Sequence, residues 1–152
     1  MIRISDDIII KTLARVLVPF IQLYALYVIM HGHHSPGGGF QGGVILGASF
    51  VLLVLTHGLK DTQKRISEKS VAILSSLGVL IYAGIGALCL ILLGNFLDYS
   101  KLAILLNVPL ARARSLGTLG VEIGVGLAVM AVMFSIFYSI ATGGKQTEED
   151  ND

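Results

Sequence analysis

One carboxylate stands deep inside an apolar stretch: Glu122, within Leu119-Gly120-Val121-Glu122-Ile123-Gly124-Val125-Gly126. At the centre of a lipid-facing helix such a charge costs about 2.5 to 3.5 kcal/mol on insertion scales, so Glu122 must face protein or water, or be protonated. A group so placed can carry protons or cations, or make a polar contact to another subunit, and its flanking glycines let partners come close. The alternative is a position near enough to the membrane surface to stay hydrated. His57, near a helix end, is the one ionisable candidate partner in another span; any other is expected from another subunit.

His31, His33 and His34 place three imidazoles in four residues, a density that suggests metal binding or proton relay. Adjacent side chains diverge in most backbone conformations, so a zinc site within the chain would need further ligands from elsewhere. Interfacial polar residues are the simpler reading. Gln22, Gln41 and His57 fall at or inside span ends, where neutral polar groups commonly hydrogen-bond between helices for about 0.6 kcal/mol each. The spans contain no Ser/His pair, no HExxH and no paired carboxylates, so catalysis, a bound metal and a cofactor are not expected.

The densest feature is a proline-led glycine run, Ser35-Pro36-Gly37-Gly38-Gly39-Phe40-Gln41-Gly42-Gly43, which holds five glycines in the seven residues from Gly37. Each glycine costs a helix about 1 kcal/mol relative to alanine, so the run calls for unusual backbone angles or the close approach of another backbone. Gly39, Gly43 and Gly47 recur every fourth residue and form a flat face of the kind that brings membrane helices into backbone contact. That contact is expected with a helix of a different polypeptide. Anion binding by the free amides is a weaker alternative, since the Lys-Ser/Thr ending of a P-loop is missing.

These residues are carried by four apolar runs, 8–30, 40–59, 71–93 and 116–141, each long enough to cross a bilayer that needs about 20 residues. Lys11 and Arg15 in the first run must snorkel, Pro19 predicts a kink or a locally widened turn, and the absence of a cleavage pattern near His31 predicts that the run persists as a span. Residues 98–115 are too polar to span and are expected as a short interfacial or re-entrant piece, or a plain loop, interrupted by Pro109. Eight Lys and Arg (Arg3, Lys11, Arg15, Lys60, Lys64, Arg65, Lys69, Lys145) fall on one side and three (Lys101, Arg112, Arg114) on the other. By the positive-inside rule both termini are then cytoplasmic and the glycine-rich connector faces outward.

Composition agrees: 54% of residues are hydrophobic, 14% are charged and the net charge is +1, so an all-α integral membrane domain is expected with lipid as its surroundings. No clustered basic footprint suggests nucleic acid. Cys89, inside an apolar run, reads as a small packing residue. The acidic tail 143–152 reads as a frayed end, and the spans share no repeat, which argues against a self-contained carrier.

Tyr27-Val28-Ile29-Met30-His31-Gly32-His33 followed by Pro36-Gly37-Gly38-Gly39-Phe40-Gln41-Gly42-Gly43 resembles the B subunit of Mrp-type multisubunit Na+/H+ antiporters, and size and span number fit over nearly the whole chain. Similar subunits occur in the membrane arm of energy-converting hydrogenases and related sulfur-reducing complexes. Gln41 and the stretch 120–126 resemble that branch more. The resemblance implies a non-catalytic subunit of a cation/proton exchange complex in a prokaryotic plasma membrane. Na+ and H+ would be the transported ions, with large antiporter-like subunits and other small helical subunits as partners. Glu122, His31, His33, His34 and His57 are then candidates for the ion path. Pro36, Gly37, Gly38, Gly39, Phe40, Gln41, Gly42, Gly43 and Gly47 form the helix-packing motif. Two other classes compete: a homo-oligomeric channel with a ring of Glu122, and a membrane enzyme using the histidines with a metal.

Overall fold

The structure is a computed structural model that describes residues 4–32, 37–58 and 67–142. The acidic tail 143–152 lies outside the described residues. Every regular element in them is helical: α1 (Ile4–His31), α2 (Gly39–His57), α3 (Glu68–Ile91), a 3-10 turn (Tyr99–Lys101), α4 (Leu102–Leu106) and α5 (Leu110–Ala141). Four of these are long and apolar enough to cross a membrane, over Ile8–His31, Gly39–His57, Lys69–Ile91 and Leu110–Ala141.

The helix ends follow local chemistry. Ser67 caps α3 by accepting the amide of Ser70 at 3.2 Å, which satisfies one of the unpaired donors of a helix start. α1 continues through Pro19, although the ring supplies no N–H to the ladder. The last span begins at Leu110 rather than at the expected Leu116. Pro109 sets the helix start with φ −55°, and its carbonyl accepts the amides of Arg112 and Ala113. Arg112 and Arg114 are therefore helical residues, not loop. The expected interfacial piece is the 3-10 turn plus α4, closed by Asn107 in the left-handed region at φ 51°.

α5 is the central helix. α2 packs along one side of it, α3 along another, and α1 lies mainly on α2; among the long helices α3 packs extensively against α5 alone. α2 runs parallel to α5, because Gly39, Gly43 and Gly47 meet Glu122, Gly126 and Met130 in turn. α3 runs antiparallel, with Gly78 against Gly124 and Val71 clustered with Ala131 and Phe134.

The glycine face thus meets a helix of its own chain, where the sequence suggested a different polypeptide. A β-carbon on Gly43 would lie 2.7 Å from the Gly126 carbonyl oxygen, and one on Gly47 would lie 3.0 Å from the Met133 side chain. Gly42 turns to α1 instead, where a β-carbon would lie 2.8 Å from the Ala25 carbonyl oxygen. The motif's Phe40 and Gln41 are exposed. Close backbone approach recovers dispersion contacts that bulkier residues would forbid, the usual attraction between helices already in lipid.

α2 and α5 do not start at the same level. Gly39 opens α2 opposite Glu122, so the stretch of α5 from Leu110 to Glu122 rises about 18 Å beyond it at 1.5 Å per residue. That overhang is covered by α3, the 3-10 turn and α4. Cys89, Leu102 and Ala113 form its core, joined by Ile85, Tyr99 and Val108. Two aromatic rings sit on glycines there: Tyr99 on Gly117 and Phe96 on Gly86. Cys89 is fully buried and packs, as its setting in the sequence implies.

Candidate functional site

Glu122 lies where the ends of α1 and α2 meet the side of α5. Its Oε1 faces Gly32, just past the end of α1, where a β-carbon would come within 2.5 Å of that oxygen. Gly38, the N-cap of α2, faces the same atom, with a β-carbon position 3.8 Å away. Oε2 is buried. Gly39 presses on the main chain of the same residue, leaving no room for a β-carbon beside its carbonyl.

The local sequence explains the clasp. Gly38 has φ 139°, a conformation that side-chain-bearing residues rarely adopt, and its carbonyl accepts the Gly42 amide at 3.0 Å to begin the helical ladder. The first amides of α2 have no carbonyl partner within the helix, and together with the positive end of its dipole they favour a negative group. The carboxyl at this point lies against the backbone of Gly32 and Gly38, beside that helix start. Chemically, it can accept and release a proton or ligate a small cation.

The histidines take different places. His31, the last residue of α1, is exposed and stacks on Tyr27 at 4.2 Å between ring centroids, with Nδ1 3.3 Å from the Tyr27 carbonyl. His33 and His34, and Pro36 at the head of the glycine motif, lie outside the described residues. His57 closes α2 at its other end, 3.0 Å from the Thr56 hydroxyl. The length of α2, about 27 Å from Gly39 to His57, separates it from Glu122. The pairing of Glu122 with His57 suggested by the sequence is therefore not made. Gly37 lies at ordinary contact distance from Val28, 3.4 Å for a β-carbon.

Sequence reasoning missed Gly32 and Gly38 as the neighbours of the carboxyl, and missed the crossing of Gly78 with Gly124. The second left a signal: Gly117, Gly120 and Gly124 recur at three and four residues, one face of a helix, and each meets α3 or the segment that caps it.

Comparison with known proteins gives a consistent picture. A family model described as a domain related to the MnhB subunit of Na+/H+ antiporter matches residues 9–135. A protein from Alkalihalophilus pseudofirmus, named as the B subunit of a Na(+)/H(+) antiporter, is 29% identical over 140 residues, covering 90% of this chain and 94% of its own length. A protein of the same name from Bacillus subtilis is 29% identical over 139 residues, with the same coverage of 90% and 94%.

Proposed function

Since this chain belongs to the family of domains related to the MnhB subunit of Na+/H+ antiporters, we propose that it is a non-catalytic membrane subunit of a multisubunit cation/proton antiporter. In this reading it packs the membrane core of the complex and contributes Glu122 to the path of the exchanged ions. Large antiporter-like subunits and other small helical subunits are its partners, and both termini are cytoplasmic. The comparisons favour this over a self-assembling channel.

The observation that carries the role of Glu122 is its position: an acidic side chain held by Gly32, Gly38 and Gly39 at the open end of α2. An acid serving only as a helix contact gains nothing from a glycine-only turn at φ 139° beside it. A proton or cation stop needs such a turn, because the group must be reached from the connector yet stay shielded from lipid.

The test is exchange in inverted membrane vesicles of a strain lacking its own antiporters, with the whole complex expressed. Glu122→Gln is expected to leave assembly intact and to lower cation-driven proton movement or displace its pH profile. Unchanged exchange at every pH would reduce Glu122 to a packing residue. The subunit purified and reconstituted alone is expected to show no cation-dependent proton flux. Hydrogenase-like subunits in adjacent reading frames would identify the host as the membrane arm of an energy-converting hydrogenase; antiporter subunits alone would identify a free-standing complex.

A further inference from the structure

Glu122 lies well inside the membrane, although α2 begins beside it. Gly78 of α3 meets Gly124 of α5 and the two helices are antiparallel, so Lys69 and Arg114 stand about 28 Å apart along the bundle. That is close to the hydrocarbon thickness of about 30 Å, with a cation at each boundary, where long basic side chains snorkel. Glu122 is then about 12 Å below Arg114, within the apolar layer. α2 starts at the same depth, because Gly39 faces Glu122.

Above that level α5 has two different sides. One carries Ala113, Gly117 and Gly120 and is covered by α3 and the cap. The other continues the row of Glu122, Gly126 and Met130 on which α2 packs. Its next members at four-residue steps are Thr118 and Arg114, with Ser115 beside them. Arg114 is exposed, and Ser115, Thr118 and Glu122 are half-buried. Helical side chains lean toward the N-terminus of their helix, so the Glu122 carboxyl leans up this row toward Thr118.

We propose that this strip of α5 lines a water-filled path from the outer end of the helix to Glu122, by which the exchanged ion reaches the carboxyl; the proposal rests on the reading of Glu122 as an ion-path residue. A row of guanidinium, two hydroxyls and a carboxyl at membrane depth is costly against acyl chains and belongs to a hydrated surface. The backbone of Gly37 and Gly38 is non-helical at the same depth, and such backbone persists inside a bilayer only where it is buried in protein or lines water. Below Glu122 the way is shut: Gly43 presses on the Gly126 carbonyl and Gly47 on Met130 and Met133, so α2 and α5 leave no gap between them. An ion-carrying acid closed off along α2 from below is reached from above.

The test is cysteine accessibility in the whole complex, in membrane vesicles of both orientations, with a charged, membrane-impermeant methanethiosulfonate. Ala111→Cys, exposed at the outer end of α5, marks the side from which that end is reached. Leu80→Cys, at a position 67% exposed on α3 at the depth of Glu122, reports a thiol facing lipid, and the buried Cys89 gives the background. Ser115→Cys and Thr118→Cys are expected to react from the same side as Ala111→Cys and many times faster than Leu80→Cys, since a hydrated thiol ionises to the reactive thiolate and one in an apolar setting does not. Modification of Thr118→Cys is expected to lower cation-driven proton movement several-fold by obstructing the path. Reaction no faster than at Leu80→Cys would overturn the proposal and place lipid or another subunit on the strip. Reaction only from the opposite side would overturn it too, as would full exchange after complete modification of Thr118→Cys in a complex that Glu122→Gln impairs. Fast reaction combined with normal exchange in Glu122→Gln would remove the role of Glu122 and support the water path alone, so the two readings fail separately. If Thr118→Cys does not assemble, Ser115→Cys carries the same accessibility and blocking measurements.

Discussion

Gly39 lies so close to the main chain of Glu122 that a β-carbon on the glycine would collide with the Glu122 carbonyl oxygen. Two features that look separate in the sequence, the glycine string and the lone acid, are therefore one construction. The contact fixes the level at which α2 begins, and so fixes which backbone atoms surround the carboxyl. Packing and candidate chemistry share the same atoms.

Gly39→Ala is expected to damage the subunit more than a methyl group normally would. The obstacle is main chain on α5, which cannot swing aside, and overpacking of this sort costs about 1 to 3 kcal/mol or more. Gly84→Ala is the control, because its β-carbon meets nothing within 4 Å, and helix propensity there favours alanine by about 1 kcal/mol. Steady-state levels in membranes and thermal unfolding in detergent should separate the two, with Gly84→Ala at or above wild type. Equal behaviour would show that the α2–α5 contact is loose.

Gly38→Ala tests the turn rather than the packing. Its β-carbon would have space, with only Glu122 Oε1 at 3.8 Å, but φ 139° is closed to it. Residues held in such regions cost on the order of 1 to 3 kcal/mol. The expected result is faster hydrogen exchange in the first turn of α2 and altered exchange activity of the complex. Gly37→Ala, at ordinary contact with Val28, should show neither effect.

Why was so much of this readable in advance, and why was the rest not? Apolar length determines spans, and the four long helices lie close to the runs that composition marks out. The last one starts early because Pro109 organises a helix start that hydropathy alone cannot detect behind Arg112 and Arg114. The four-residue recurrence of Gly39, Gly43 and Gly47 reveals a close-packing face, since only spacing is needed for that. It does not reveal the partner, because a flat stripe fits any smooth helix, and here Gly126 on α5 supplies it. Glu122 was conspicuous for its charge. Its neighbours Gly32 and Gly38 have no side chains with which to announce themselves.

The cap above the overhang should respond to acid. The Asp98 carboxylate accepts the amide and hydroxyl of Ser100, and this hydrogen bonding, with smaller help from Lys101 and Arg114, holds its pKa below the ordinary carboxylate value. The folded value is the lower one. Order that depends on this group is therefore complete above the unfolded pKa of about 3.9 and is lost as pH falls through the folded value. Hydrogen exchange in residues 99–106 should stay constant from neutral pH down to about 4 once corrected for intrinsic rates, then rise. In Asp98→Ala the segment should be looser at neutral pH and lack the acid step. An unchanged acid step in that variant would assign it to another group.

Gly43→Leu distinguishes the two possible partners of the glycine face. Were the face reserved for another polypeptide, leucine there would block assembly and leave the subunit itself intact. In the structure a β-carbon at this position already lies 2.7 Å from the Gly126 carbonyl oxygen and 2.9 Å from Val129, so the bulk must push α2 off α5 within the chain. Phe50 and Phe134 make an edge contact between those helices at 6.3 Å, which marks positions for a cysteine pair. With Phe50→Cys and Phe134→Cys present, oxidative cross-linking of the subunit expressed alone in membranes is expected to be efficient. Adding Gly43→Leu should reduce it several-fold before any other subunit is involved. An undiminished cross-link accompanied by lost assembly would mean that leucine is accommodated against α5 and that the face serves another chain.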